Sequence, residues 1–104
     1  MFDNLFGNLQ EKQAELQQKL AGMLVEAEAG DGAVTVQAGA DMHLENIQID
    51  PAKIDLADRE QLEDLLVVAV NRALELAREK AAAETQKLLQ GILPFGGMDQ
   101  FLKP

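Results

Sequence analysis

DREQLEDLLVVAVNRALELAREKAAAETQKLLQ, from Asp58 to Gln90, decides how the chain is read. Asp58-Arg59-Glu60-Gln61 is a helix start. The Asp carboxylate can accept from the first free backbone N–H groups, and a Gln three residues later can reach back. Neither Pro nor Gly follows until Gly91, a natural stop, with Pro94 just beyond. At ~1.5 Å per residue the stretch makes a rod of roughly 50 Å. Leu62, Leu65, Leu66, Ala69, Val70, Ala73, Leu76 and Ala77 share one broad face, and Val67, Val68 and Leu74 widen it. Beyond Ala77 the same face continues as Lys80, Glu84 and Lys87. The spacing therefore predicts a helix that packs first and then projects into solvent as an arm.

The remaining segments arrange themselves before and after this rod. An N-terminal helical segment, 1–29, contains a helix over 2–24, where Phe2, Phe6, Leu9, Leu16, Leu20 and Met23 recur at alternating gaps of three and four, with Gln13 in the missing place. That pattern fits a helix packed on its own domain or a short coiled coil. Ala29-Gly30-Asp31-Gly32 supplies turn chemistry. Residues 30–57 carry strands and a connecting turn. Ala33 to Ala38 alternates, with Val34 and Val36 facing inward. A second strand region covers Asp41 to Asp50. Met42 and Leu44 share one parity there and Ile47 and Ile49 the other, so a bulge is expected near Glu45-Asn46. Pro51 to Asp55 is expected to form a short helical turn. The long helix spans 58–90, and 91–104 is a Gly/Pro-containing tail. The fold class is α/β of the α+β kind, with an N-terminal helix, a small antiparallel sheet of two to three strands and a long C-terminal helix in a single domain, 1–104.

One small domain with a projecting arm buries little by itself, and the near-continuous apolar run Leu62–Val70 has faces to spare. A homodimer built on the strands and the first half of the long helix is the expectation. There is no cysteine and no serine, so disulfides, thiol chemistry and a serine nucleophile are excluded. The single histidine, His43, has no cysteine or second histidine to join it at a metal, and a surface or structural role fits it best. Adjacent Glu63 and Asp64 point different ways on a helix and form no acid/base pair. The glycines lack phosphate-loop spacing. No catalytic residue, metal or cofactor is expected, and the chain reads as a non-enzyme. The start Met1-Phe2-Asp3-Asn4 has no basic segment ahead of an apolar run, and no apolar run reaches the ~20 residues of a membrane helix, which points to the cytoplasm.

Charge constrains partners more sharply. The net charge is −9, which repels a polyanion at long range. It is unevenly spread: residues 1–29 carry two basic and five acidic side chains, 30–58 one and six, and 59–104 six and seven. On the long helix Arg72, Lys80 and Lys87 fall within an arc of about 80°. A solvated face of mixed charge and a weak phosphate-contacting strip both fit that pattern.

Taken together, Val34-Thr35-Val36 with Gly39, Ile47-Gln48-Ile49-Asp50-Pro51, Asp58-Arg59-Glu60-Gln61-Leu62-Glu63-Asp64-Leu65, Ala69-Val70-Asn71-Arg72-Ala73 and the ending Gly91-Ile92-Leu93-Pro94 resemble the YbaB/EbfC family of small bacterial nucleoid-associated proteins. The likeness runs from Gly30 to about Leu89. It implies a tweezer-like dimer with spread helical arms, located in the nucleoid and binding duplex DNA with limited sequence specificity. Where DNA-binding members carry basic residues in the second strand, this chain has Glu45-Asn46. The expected contacts therefore move to the two helices, to Lys12, Lys19, Arg72, Arg78, Lys80 and Lys87. The alternative is an acidic dimeric module that binds protein and not DNA.

Overall fold

The computed structural model describes residues 2–92, with side chains over 7–91. The elements are α1 (Phe2–Ala21), β1 (Leu24–Ala29), β2 (Val34–Gly39), β3 (Leu44–Ile49) and α2 (Arg59–Ile92). The strands form one antiparallel sheet in the order β1-β2-β3. The molecule measures 62 × 39 × 17 Å, elongated because α2 runs well past the sheet.

The first helix is shorter than the sequence pattern suggested. The Gly22 N–H turns back onto the Gln18 and Lys19 carbonyls at 3.3 and 3.1 Å, and Met23 donates to Leu20 at 3.1 Å, closing α1. Leu24–Ala29, expected within the helical segment 1–29, is instead the strand β1. Glu26 and Glu28 face solvent while Ala29 is buried. The β1–β2 turn holds three consecutive residues at positive φ, Gly30, Asp31 and Gly32. Gly30 sits at φ 66, and a Cβ there would lie 3.0 Å from a Leu65 methyl, so glycine suits both the backbone and the close approach of the turn to α2.

Between β2 and β3 the chain reverses at Gly39–His43. Met42 does not extend the strand; it sits at φ 71 in the turn, donating to the Gly39 carbonyl at 3.0 Å. The predicted bulge is present. Gln37 pairs with Asn46 but Ala38 pairs with Leu44, which leaves Glu45 as the extra residue. After β3, residues 51–55 form turns, not the expected helical turn. Asp50 accepts from Ala52 N–H on its carboxylate and from Lys53 N–H on its carbonyl, and Asp55 accepts in the same way from Ala57 and Asp58.

Asp58 caps α2, accepting from the Gln61 N–H at 3.1 Å. Gln61 has no N–H to reach back to, because that of Asp58 is already on the Asp55 carbonyl. Gly91 does not stop the helix, which continues to Ile92; the Gly/Pro tail from 93 onward lies outside the described residues. α2 crosses β1 and β2. Ala69, Ala73 and Ala77 are all at 0 % exposure, and the first two let the helix approach the sheet closely, over Ala29, Val34, Val36 and Ala38. Leu62, Leu65, Leu66 and Val70 pack on the flanks of this core.

Two consequences of this placement matter for function. First, α2 lies over β1 and β2 and leaves most of β3 uncovered. Ile47 and Ile49 pair with Val36 and Val34 and so share their face, yet they are 42 % and 39 % exposed. The bulge returns Leu44 opposite buried Ala38, and Leu44 too is exposed. Ile47 with Leu66, Val67, Val70 and Asn71 lines an open apolar groove. Second, the distal half of α2 leaves the sheet but is not a bare arm. α1 runs back beside it, and Leu20 and Glu84 are buried.

Candidate nucleic-acid interface

Lys19 on α1 and Lys87 on α2 meet at Glu84. The Lys19 ammonium lies 3.0 Å from one carboxylate oxygen and that of Lys87 lies 3.3 Å from the other. The Glu84 side chain is only 8 % exposed, whereas the lysines are 63 % and 73 % exposed. The hydrogen bond from Lys19, then that from Lys87, holds the Glu84 carboxyl below the usual carboxylate range and outweighs the opposing cost of burial. Lys12, Glu15, Leu16 and Leu88 complete an open cleft of about 300 Å³. The stripe that turned to charge after Ala77 thus meets a second helix, and its central carboxylate is buried in an ionic contact between them.

The six expected DNA-contacting residues fall into separate places. Lys12, Lys19 and Lys87 share the interhelical cleft. Arg72 instead turns toward β1, donating from Nη1 to the Glu28 carbonyl at 2.8 Å in a cleft it shares with Glu28, Glu75 and Glu79. That divides the strip expected along α2, since its first member is directed at the sheet and surrounded by carboxylates. Arg78 and Lys80 are exposed, and neither pairs with a described carboxylate. Two residues apart, they point about 200° from one another around the helix. Glu84 was expected on the solvent-facing stripe of α2, and its burial between two lysines is new from the structure. The i, i+3 spacing to Lys87 was visible, but the decisive partner, Lys19, is 65 positions away in the chain.

His43 stays on the surface, with its Nδ1 3.0 Å from an Asp41 carboxylate oxygen. Among the described residues no three acidic, histidine or cysteine side chains are grouped to hold a metal ion, and no helix is long and apolar enough to cross a membrane.

A fold of this shape has a solved counterpart. The crystal structure of an uncharacterized protein from Helicobacter pylori superposes with a TM-score of 0.72, covering 85 % of this chain and 92 % of that one at 22 % identity. The sequence is 44 % identical over 79 residues to a nucleoid-associated protein of Moorella thermoacetica, covering 76 % of each chain. It is 44 % identical over 84 residues to a nucleoid-associated protein of Myxococcus xanthus, covering 81 % of this chain and 80 % of the relative. The family model of the YbaB/EbfC DNA-binding family matches residues 2–92, nearly the whole length, and this family is not one of enzymes. On these grounds, and with the order of helix, three strands and long helix in agreement, the chain belongs to the YbaB/EbfC DNA-binding family.

Proposed function

We propose that the protein is a nucleoid-associated protein of the bacterial cytoplasm that binds duplex DNA as a homodimer, by phosphate contacts and with limited sequence specificity. The observation that carries this reading is the family match over residues 2–92. The exposed cations of the two helices, Lys80, Arg78 and Lys12, are the primary contacts. Lys19, Lys87 and Arg72 are secondary because each already has an intramolecular partner. Phosphates are the same at every step, so contacts of this type position a duplex without reading its sequence. Strong negative charge at the sheet end directs DNA to the helical end, and net charge −9 keeps affinity low and sensitive to salt.

The open groove beside β3 supports dimerisation. Leu44, Ile47, Ile49 and Val67 are exposed apolar side chains next to an unpaired strand edge. A second copy, presenting the same surface, covers both features at once. A gel-shift titration on unrelated duplexes at low and physiological salt tests the function. Binding that is similar across sequences and falls steeply with salt supports it. A Lys80→Gln variant is expected to lower the salt slope by about one per chain. No shift even at low salt would refute DNA binding and leave an acidic protein-binding module, which the net charge favours.

A further inference from the structure

Among the described residues Glu84 is the one buried charged side chain. Its two oxygens are each taken by a different lysine, one from each helix. Ammonium groups about 3 Å from paired anionic oxygens are also what a DNA phosphate would require. The lysines remain well exposed, and the cleft between the helices is open, so an external anion can reach them. Three lysines and two carboxylates line it, Glu15 being the second carboxylate. Moving either lysine to a phosphate would leave one oxygen of this little-exposed carboxylate without its partner, a cost that opposes the exchange.

We infer that Glu84 is an internal substitute for a DNA phosphate: it withholds Lys19 and Lys87 from the duplex and so sets the affinity of the protein. This rests on the DNA-binding reading above. In the native chain the two lysines then contribute little to DNA binding, and the slope of log K on log salt counts the other cations. Removing the charge of Glu84 frees both.

The test compares salt slopes on one fixed duplex for the native protein and for Glu84→Gln, Lys19→Gln, Glu15→Gln and the Lys19→Gln/Glu84→Gln pair. Far-UV circular dichroism verifies each fold. Glu84→Gln is expected to steepen the slope by about 0.9 for each lysine released, close to two per chain. The paired variant should return about half of that gain. Lys19→Gln alone should leave the native slope unchanged. Glu15→Gln removes a charge from the same cleft without releasing a lysine, and should leave the slope near native. The inference is overturned if Glu84→Gln binds with the native slope, or if Lys19→Gln alone lowers it by about one per chain. The second arm decides the matter even if Glu84→Gln does not fold. Native binding with no gain in Glu84→Gln overturns this inference only. Absence of binding by both overturns the DNA-binding reading as well.

Discussion

Val67→Asp is designed to break the proposed dimer without disturbing the monomer. Val67 is 60 % exposed on α2, beside Leu66, Val70 and Ile47. A side chain so open in one chain contributes little to that chain's own core, so its replacement should leave the monomer folded. In the proposed dimer it is covered. Full burial of a valine is worth ~1.5–3 kcal/mol. The exposed portion therefore contributes roughly 1–2 kcal/mol per chain, and a symmetric interface uses it twice. Losing about 2–4 kcal/mol raises the dissociation constant of the dimer some 30- to 1,000-fold. Bringing two carboxylates into an apolar groove adds a desolvation penalty of several kcal/mol. The expected result is a monomer at micromolar concentration in sedimentation equilibrium, with helical circular dichroism retained. A variant that stays dimeric, with a dissociation constant within tenfold of native, would show that this groove is not the interface. A stable native monomer under the same conditions would remove the dimer altogether.

Three other outcomes are expected. Val36→Ala removes two methyl groups from a site with 0 % exposure and should cost about 2–3 kcal/mol in urea unfolding; a loss under ~1 kcal/mol would contradict the packing of α2 on β2. Because the folded pKa of Glu84 lies below its usual value of 4.5, its ionic contacts stabilise the native state above that pH. That stabilisation is lost as pH falls through the folded pKa, so the gap in melting temperature between native protein and Glu84→Gln should be steady near neutrality and shrink below about 4.5; a gap unchanged down to pH 3 would refute the assignment. In amide hydrogen exchange, residues 62–77 should be better protected than 80–90, and Glu84→Gln should speed exchange in 80–90 and in the facing part of α1 together; unchanged exchange in both segments of Glu84→Gln would count against the paired-helix arm.

What the sequence revealed, and what it hid, follows the range of each interaction. The start of α2 was legible because Asp58 acts on an N–H three residues away. The inward residues of β2 were legible from alternation, and the bulge from the change of parity between Leu44 and Ile47. β1 was hidden because Leu24-Val25-Glu26-Ala27-Glu28-Ala29 is rich in helix formers, and alanine is too small to make the alternation stand out. Its strand conformation comes from pairing with β2, although Gly22 did mark the end of α1. The arm was half legible. A charged residue on an apolar stripe ordinarily means solvent, and only the three-dimensional return of α1 buries Glu84. Of the six basic residues picked from their places on helices, the hydrogen bond of Arg72 to the Glu28 carbonyl spans 44 positions, and no local pattern announces it.

The irregularity at Glu45 also bears on what can pair with the free border of β3. A sheet border with unsatisfied N–H and C=O groups is a template on which any extended peptide can polymerise. β3 spans only Leu44–Ile49, and the extra residue breaks its repeat after one position, so the regular stretch open to a foreign strand is Asn46–Ile49. Four residues give an intruder fewer contacts than an unbroken six-residue strand would, and the acidic side chain at the break adds a local charge against it. A partner that brings its own apolar surface to the neighbouring groove gains what a bare peptide cannot. In the proposed dimer one inserted residue would thus act as a filter at the β3 border, favouring a folded copy over open-ended stacking there.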